Sequence, residues 1–172
     1  TIYSGRDIQK ISNFKTDAFD QKDFGCLGYM NDDKVMMFSR TFKKHTLQSV
    51  FSEKPITELP PVGIVYYYAG AKPDILTMMA QNHRGIVIIG SGSGNYSQAW
   101  LNEIETLAAK GIIFVRASRV NQGIVYESDV FDPHNVCIPS NTLSGQKARV
   151  LLMLALSVTQ NTKEIKRIFN EY

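Results

Sequence analysis

Gly90, Gly92 and Gly94 stand at alternate positions after the apolar run Ile86-Val87-Ile88-Ile89, and Asn95 follows them. Glycines at the end of such a run let backbone approach a ligand closely. Two chemistries use that approach. One is a cradle of backbone amides for phosphate; the other is a platform that presents Ser93, Asn95 and Ser97 to a polar ligand. The dinucleotide pattern G-x-G-x-x-G would need a third glycine where this chain has Asn95. The Lys and Ser/Thr that end a P-loop are missing. The following run, "GIIFVRAS", ends in Arg116 and Ser118 rather than in an acid that would hold a ribose. A carboxamide at Asn95 both donates and accepts, which suits a carboxamide or carboxylate ligand.

Three short, continuous β-branched runs position that loop: Val62 to Tyr68, Gly85 to Gly90, and Gly111 to Val115. Runs of this kind are strands buried on both faces, as in a parallel sheet. Helical patterns separate them. Pro73 to Gln81 opens with a proline near its first turn, and Ser97 to Lys110 places Trp100, Leu101, Ile104 and Leu107 on one face before Gly111 ends it. The alternation predicts a doubly wound unit with right-handed crossovers, whose ligands bind beyond the carboxyl ends of the strands. Two further helices are expected, over Gln146 to Gln160 and after a capping Asn161, with Thr142 or Ser144 capping the first. Asn31-Asp32-Asp33 between two apolar stretches predicts a hairpin. The three prolines of Glu53 to Pro61 read as a linker. The chain is therefore expected to divide into a β-rich arm, 1–60, and an α/β domain, 61–172.

Composition excludes several classes. At 172 residues, with 44% hydrophobic and 20% charged residues, the chain has the make-up of an ordinary globular protein. No apolar run is long enough to span a membrane. A net charge of +3, with Lys43-Lys44-His45 as its densest basic cluster, gives nucleic-acid binding little support. Cys26 and Cys137 are too few for a disulfide scaffold, and His45, His83 and His134 have no ligand-spaced partners, so neither a metal nor another cofactor is expected.

Several stretches together resemble bacterial type II L-asparaginases: "SNFKTDAF", "KKHT", "LPPVGIVYYYAG", "GIVIIGSGSGN", "VRASRV", and above all "LSGQKARVLLMLAL" followed by "IFNEY". The likeness runs in order from about Gly5 to Tyr172 and covers the carboxyl-terminal half of that family. It implies a small α/β domain with a parallel sheet, Rossmann-like or flavodoxin-like, preceded by a β-rich arm belonging to a larger amino-terminal domain. Members hydrolyse L-asparagine, and often L-glutamine, to the acid and ammonia through a threonine nucleophile. The family's Gly-Gly-Thr and Thr-Asp-Lys motifs are not in this sequence, so no catalytic residue is assigned to it. Thr1, whose α-amine could serve as a base, sits in no pattern resembling the unrelated terminal-threonine asparaginases.

In the family the small domain of one subunit completes the active site of its neighbour, in tetramers built as dimers of dimers. The resemblance makes Asn95 the counterpart of a loop asparagine that helps bind the substrate's α-amino group, with Ser93 beside it. A family glutamate aligns with Asp129, one methylene shorter, or with Glu127 if the loop is shifted; either carboxylate would pair with an ammonium group. The resemblance also implies a periplasmic or secreted setting. Two other readings stay open, a non-catalytic interaction module on the same fold and a nucleotide-binding α/β domain. A half made to dock on a larger domain should expose an apolar patch along its first sixty residues. Phe14, Phe19, Phe24, Met36, Met37 and Phe38 are the candidates.

Overall fold

The structure, a computed structural model, describes residues 1–53 and 55–172. They form two compact units, Thr1–Lys44 and His45–Tyr172. The first unit holds two antiparallel pairs: β1 (Gln9–Lys10) with β2 (Phe19–Asp20), and β3 (Gly28–Asn31) with β4 (Lys34–Met37). The second pair is the hairpin expected around Asn31-Asp32-Asp33, with Asp32 in the left-handed region at φ 48°. Buried Asp7 organises the rest, accepting the backbone N–H groups of Asp23 and Phe24 at 3.1–3.3 Å. The hairpin covers neither of its own faces. Tyr29, Met30, Val35, Met36, Met37 and Phe38 are all exposed, as are Phe14, Phe19 and Phe24.

The second unit is a four-stranded parallel sheet coated by helices on both sides. Its elements run β5 (Val62–Tyr66), α1 (Asp74–Ala80), β6 (Gly85–Gly90), α2 (Gln98–Ala108), β7 (Ile113–Ser118), β8 (Cys137–Pro139), α3 (Gly145–Val158) and α4 (Thr162–Glu171). The strand order is β5-β6-β7-β8. The alternation of side chains along the buried strands sorts the core into two layers. Ile86, Ile88 and Phe114 pack with Leu76, Trp100, Leu101 and Ile104 of α1 and α2. Val87, Ile89, Val115 and Ala117 pack with Leu151, Leu152, Ala155, Ile165, Ile168 and Phe169 of α3 and α4. Both crossover helices thus share one face, and the helices after the last strand cover the other. The expectation of a doubly wound unit fails in that respect: strand order never reverses, so no switch-point crevice exists and the strand-end loops themselves shape any site.

Element ends follow local chemistry. Helix α2 stops in a Schellman motif: Gly111, at φ +93°, donates its N–H to Ala108 O, and Ile112 donates to Leu107 O. That turn consumes Gly111 and Ile112, so β7 begins at Ile113 rather than at Gly111 and runs on through Ser118. Ser144, not Thr142, caps α3 by accepting the Lys147 N–H. Asn161 caps α4 by accepting from Lys163 and Glu164. Residues 45–53 belong with the second unit, where Val50 N–H donates to the Tyr172 hydroxyl at 2.9 Å and Phe51 packs on its ring.

Leu152 is fully buried where α3 crosses the sheet, close over Gly85. Leu152→Ala is expected to lower stability by about 2–5 kcal/mol in urea denaturation. Val150→Ala, on the half-exposed face of the same helix, should cost less than about 0.5 kcal/mol.

Candidate functional site

The loop that leaves β6 folds back on itself. Ser91 N–H donates to Asn95 O at 3.0 Å, and both Gly94 and Asn95 N–H groups return to Ser91 O at 2.9 and 2.7 Å. Gly92 and Gly94 take φ +48° and +89°. Packing constrains the glycines further: a Cβ at Gly90 would lie 2.3 Å from the Gly94 carbonyl carbon, and one at Gly94 would lie 2.9 Å from Arg116 Cγ. The amides of Ser91, Gly94 and Asn95 are thus spent on carbonyls of the loop itself and cannot cradle a phosphate. What the loop presents instead is side chains. Ser93 exposes a hydroxyl that bonds none of the described residues. Asn95 is half-buried, and its Oδ1 is buried with no donor. A buried acceptor left unmade costs free energy, so an incoming donor would be favoured there.

The strand beside it clamps this loop. Arg119 N–H donates to Gly90 O at 3.0 Å, and the Ser118 hydroxyl donates to Gly92 O. Arg116, on β7 and only 2% exposed, sends Nη1 to Ser93 O at 2.8 Å and Nη2 to Tyr126 O at 2.5 Å. One guanidinium thereby holds the glycine loop and the 119–136 loop together. The second loop is anchored again where Val125 exchanges two backbone bonds with Asn141, each 3.0 Å.

Of the two candidate carboxylates on this second loop, Glu127 is already engaged. Its Oε1 lies 2.6 Å from Lys166 Nζ of α4. Asp129 is exposed and its carboxylate bonds no described residue. The structure therefore brings the Ser93–Asn95 loop and the 126–127 segment to one buried cation, and leaves Asp129 the unengaged acid of the pair.

Beneath the loops lies a polar layer between sheet and α2. Tyr96 Oη contacts Cys137 Sγ at 3.5 Å, and buried Asp132 accepts the N–H groups of Val136 and Cys137 at 2.8 Å each. Burial pushes the Cys137 thiol up to about 12, with Asp132 acting in the same direction and Arg116 opposing it. Burial likewise raises Tyr96 well above the usual phenol range. Both groups stay neutral at physiological pH, which makes them packing and not nucleophiles. Among the described residues no cluster of His, Cys, Asp or Glu could hold a metal, and no helix is long and apolar enough to cross a membrane.

Arg116 was the residue that sequence reasoning missed. Noted only as the wrong type for a ribose-binding acid, it is the cation on which both loops converge. A charged residue inside an otherwise apolar strand, "IIFVRAS", was the available signal, because buried arginines require several acceptors.

The strand-end loops of this parallel α/β domain thus present a carboxamide, a hydroxyl and a carboxylate. The profile of the Glutaminase/Asparaginase C-terminal domain matches residues 61–169. "L-asparaginase 2" of Escherichia coli (strain K12) is 36% identical over 100% of this chain and 50% of its own length. "Glutaminase-asparaginase" of Pseudomonas fluorescens biotype A is 35% identical over 99% of this chain and 48% of its own. A solved "Probable Cytoplasmic L-asparaginase" from Campylobacter jejuni superposes with a TM-score of 0.88 at 36% identity, covering 99% of this chain and 56% of that one. A Haemophilus influenzae relative, 35% identical, is named "Probable L-asparaginase periplasmic". The chain belongs to the glutaminase/asparaginase family and corresponds to its carboxyl-terminal half. It spans about half the length of the curated relatives it matches.

Neutral Cys137 makes an alkaline prediction. The group's folded value lies above its ordinary 9.0, so its contribution to stability is complete below pH 9 and is lost as pH rises toward about 12. Melting temperatures should fall across that window, and Cys137→Ala should flatten the fall. An unchanged slope would remove the thiol from the cause.

Proposed function

We propose that this chain is the substrate-binding half of an amidohydrolase that converts L-asparagine to L-aspartate and ammonia, with L-glutamine as a second substrate. The observation that carries the reading is the buried, donorless Oδ1 of Asn95 at the carboxyl end of β6, in a chain whose relatives are named L-asparaginases and glutaminase-asparaginases. The substrate's α-ammonium supplies the missing donors. Asp129 supplies the charge partner, since Glu127 is held by Lys166. Ser93 contributes an exposed hydroxyl at the rim.

The nucleophile and its proton-transfer partners come from outside these 172 residues, because the family's Gly-Gly-Thr and Thr-Asp-Lys motifs are not in this sequence. The exposed apolar hairpin of the first unit is suited to that completion. A two-stranded hairpin is marginal alone, and its uncovered Tyr29, Met36 and Phe38 mark a surface that the rest of the larger domain would bury. A second copy of the protein, in a dimer of dimers, would bring Asn95 and Asp129 to a neighbouring active site. The names of the relatives point to two compartments, periplasmic and cytoplasmic, and of these the family resemblance favours the periplasmic or secreted setting.

The test uses the protein completed by its amino-terminal half. Asn95→Ala and Asp129→Ala should each lower kcat/KM for L-asparagine by roughly tenfold or more, the loss expected for one charge-assisted hydrogen bond. Glu127→Ala should change it by less than about threefold, the scale of an exposed ion pair. Unchanged turnover in both Asn95→Ala and Asp129→Ala would remove these loops from the site.

A further inference from the structure

We infer that Arg116 is a positioning residue that sets the spacing between the two substrate-binding loops, through one guanidinium shared by the carbonyls of Ser93 and Tyr126. The inference rests on the site reading above, in which those loops carry Asn95 and Asp129. Its grounds are geometric. Arg116 lies on an inner strand, opposite Ile88 on one side and Pro139 on the other, so sheet hydrogen bonds fix its backbone. Its side chain is 2% exposed and its stem packs against Gly94, where even a Cβ would collide. From that fixed base the two Nη groups reach acceptors ten and twenty-three residues away in opposite directions along the chain. A guanidinium is planar, always charged and presents its donors in a rigid fork, so two carbonyls bound to its two ends are held at one separation.

Packing alone would not require this residue. Burying a cation that donates to two neutral carbonyls and leaves its Nε without an acceptor is costly, and a leucine or methionine would fill the same volume without that cost. Buried Asp132 acts on the Tyr96–Cys137 pair with the sign opposite to Arg116. Its own carboxylate is occupied by the Val136 and Cys137 amides at the base of the second loop. The two buried charges therefore flank one loop, Asp132 tying its exit to β8 and Arg116 tying its middle to the glycine loop. Ser118 also touches both loops, donating its hydroxyl to Gly92 O and accepting the Val120 N–H at 2.8 Å, while Arg119, just past the strand, donates to Gly90 O. Arg116 reaches farther than Ser118, bonding the middle of the second loop at Tyr126 O.

The experiment compares wild type, Arg116→Met and Arg116→Lys in the protein completed by its amino-terminal half. Hydrogen exchange is read at the Ser91, Gly94, Asn95 and Val125 amides beside L-asparagine kinetics. The methionine variant should speed exchange in both loops together by about tenfold or more, the loss of a charge-assisted bond, while Leu152 and Ile168 amides keep their protection. KM should rise by a similar factor with kcat within about threefold, since held loops bind ground state and transition state alike. Lysine keeps the charge but not the fork, and should restore protection in at most one loop. Three results would overturn the inference: exchange unchanged in both loops, exchange raised equally throughout the unit, or KM unmoved in a variant whose loops have loosened. If the methionine variant does not fold, the lysine variant decides, because full protection of both loops in Arg116→Lys refutes the fork. The exchange readout needs no substrate. Failure of the site reading, seen as unchanged turnover in Asn95→Ala, thus stays separate from failure of the clamp.

Discussion

The buried guanidinium of Arg116 is the constraint from which the arrangement of the candidate site follows. A cation removed from water must be surrounded by acceptors, and here these are Ser93 O and Tyr126 O, which belong to different loops. Bonding the two Nη groups of this one residue ties together two otherwise separate segments, while its Nε stays buried without an acceptor. The remaining contacts elaborate that geometry. Gly94 is glycine because the Arg116 stem passes within 2.9 Å of where a Cβ would stand, and Gly90 is glycine because the loop closes back over it. A feature that looks like a nucleotide-binding signature in one dimension is, in three, what the chain needs to wrap a tight loop around an arginine.

The sheet beneath makes such a clamp possible. Its strands are buried on both faces, β6 without an exposed residue, and two apolar layers fix the plane from which the loops emerge. The carboxyl edge carries the loops, and the Tyr96–Asp132–Cys137 layer lies just below it, with the Asp132 carboxylate accepting the Val136 and Cys137 amides. Strand order without reversal opens no crevice in the sheet, so specificity falls to the loops. That places unusual weight on whatever holds the loops apart at the right distance, and three of the glycine loop's amides are already spent on the loop itself.

Much of this was legible in the sequence, and the illegible parts share a cause. Long β-branched runs and 3.6-residue periodicity located β5, β6, α1, α2, α3 and α4, because those signals reflect burial, which the sequence records locally. The start of β7 was misplaced by two residues, since the Gly111–Ile112 Schellman turn consumes residues whose apolar character reads as strand. Strand β8 is three residues long and ends in proline, too short to show a period. The doubly wound expectation erred because alternation of elements says nothing of strand order. Asn95 stood out as a candidate through its loop, and the choice between Asp129 and Glu127 was left open there. The contact with Lys166 on α4, about forty residues downstream, is a tertiary fact with no local trace.

The central claim is that the two strand-end loops, held by Arg116, bind the α-ammonium group of a small amino acid amide. The most direct measurement is a crystal structure of the completed protein with L-aspartate bound. The account predicts the ligand's ammonium within hydrogen-bond distance of Asn95 Oδ1 or the Asp129 carboxylate, with the Arg116 bonds to Ser93 O and Tyr126 O intact. An ammonium group bound elsewhere, with Asn95 Oδ1 and Asp129 untouched, would contradict it.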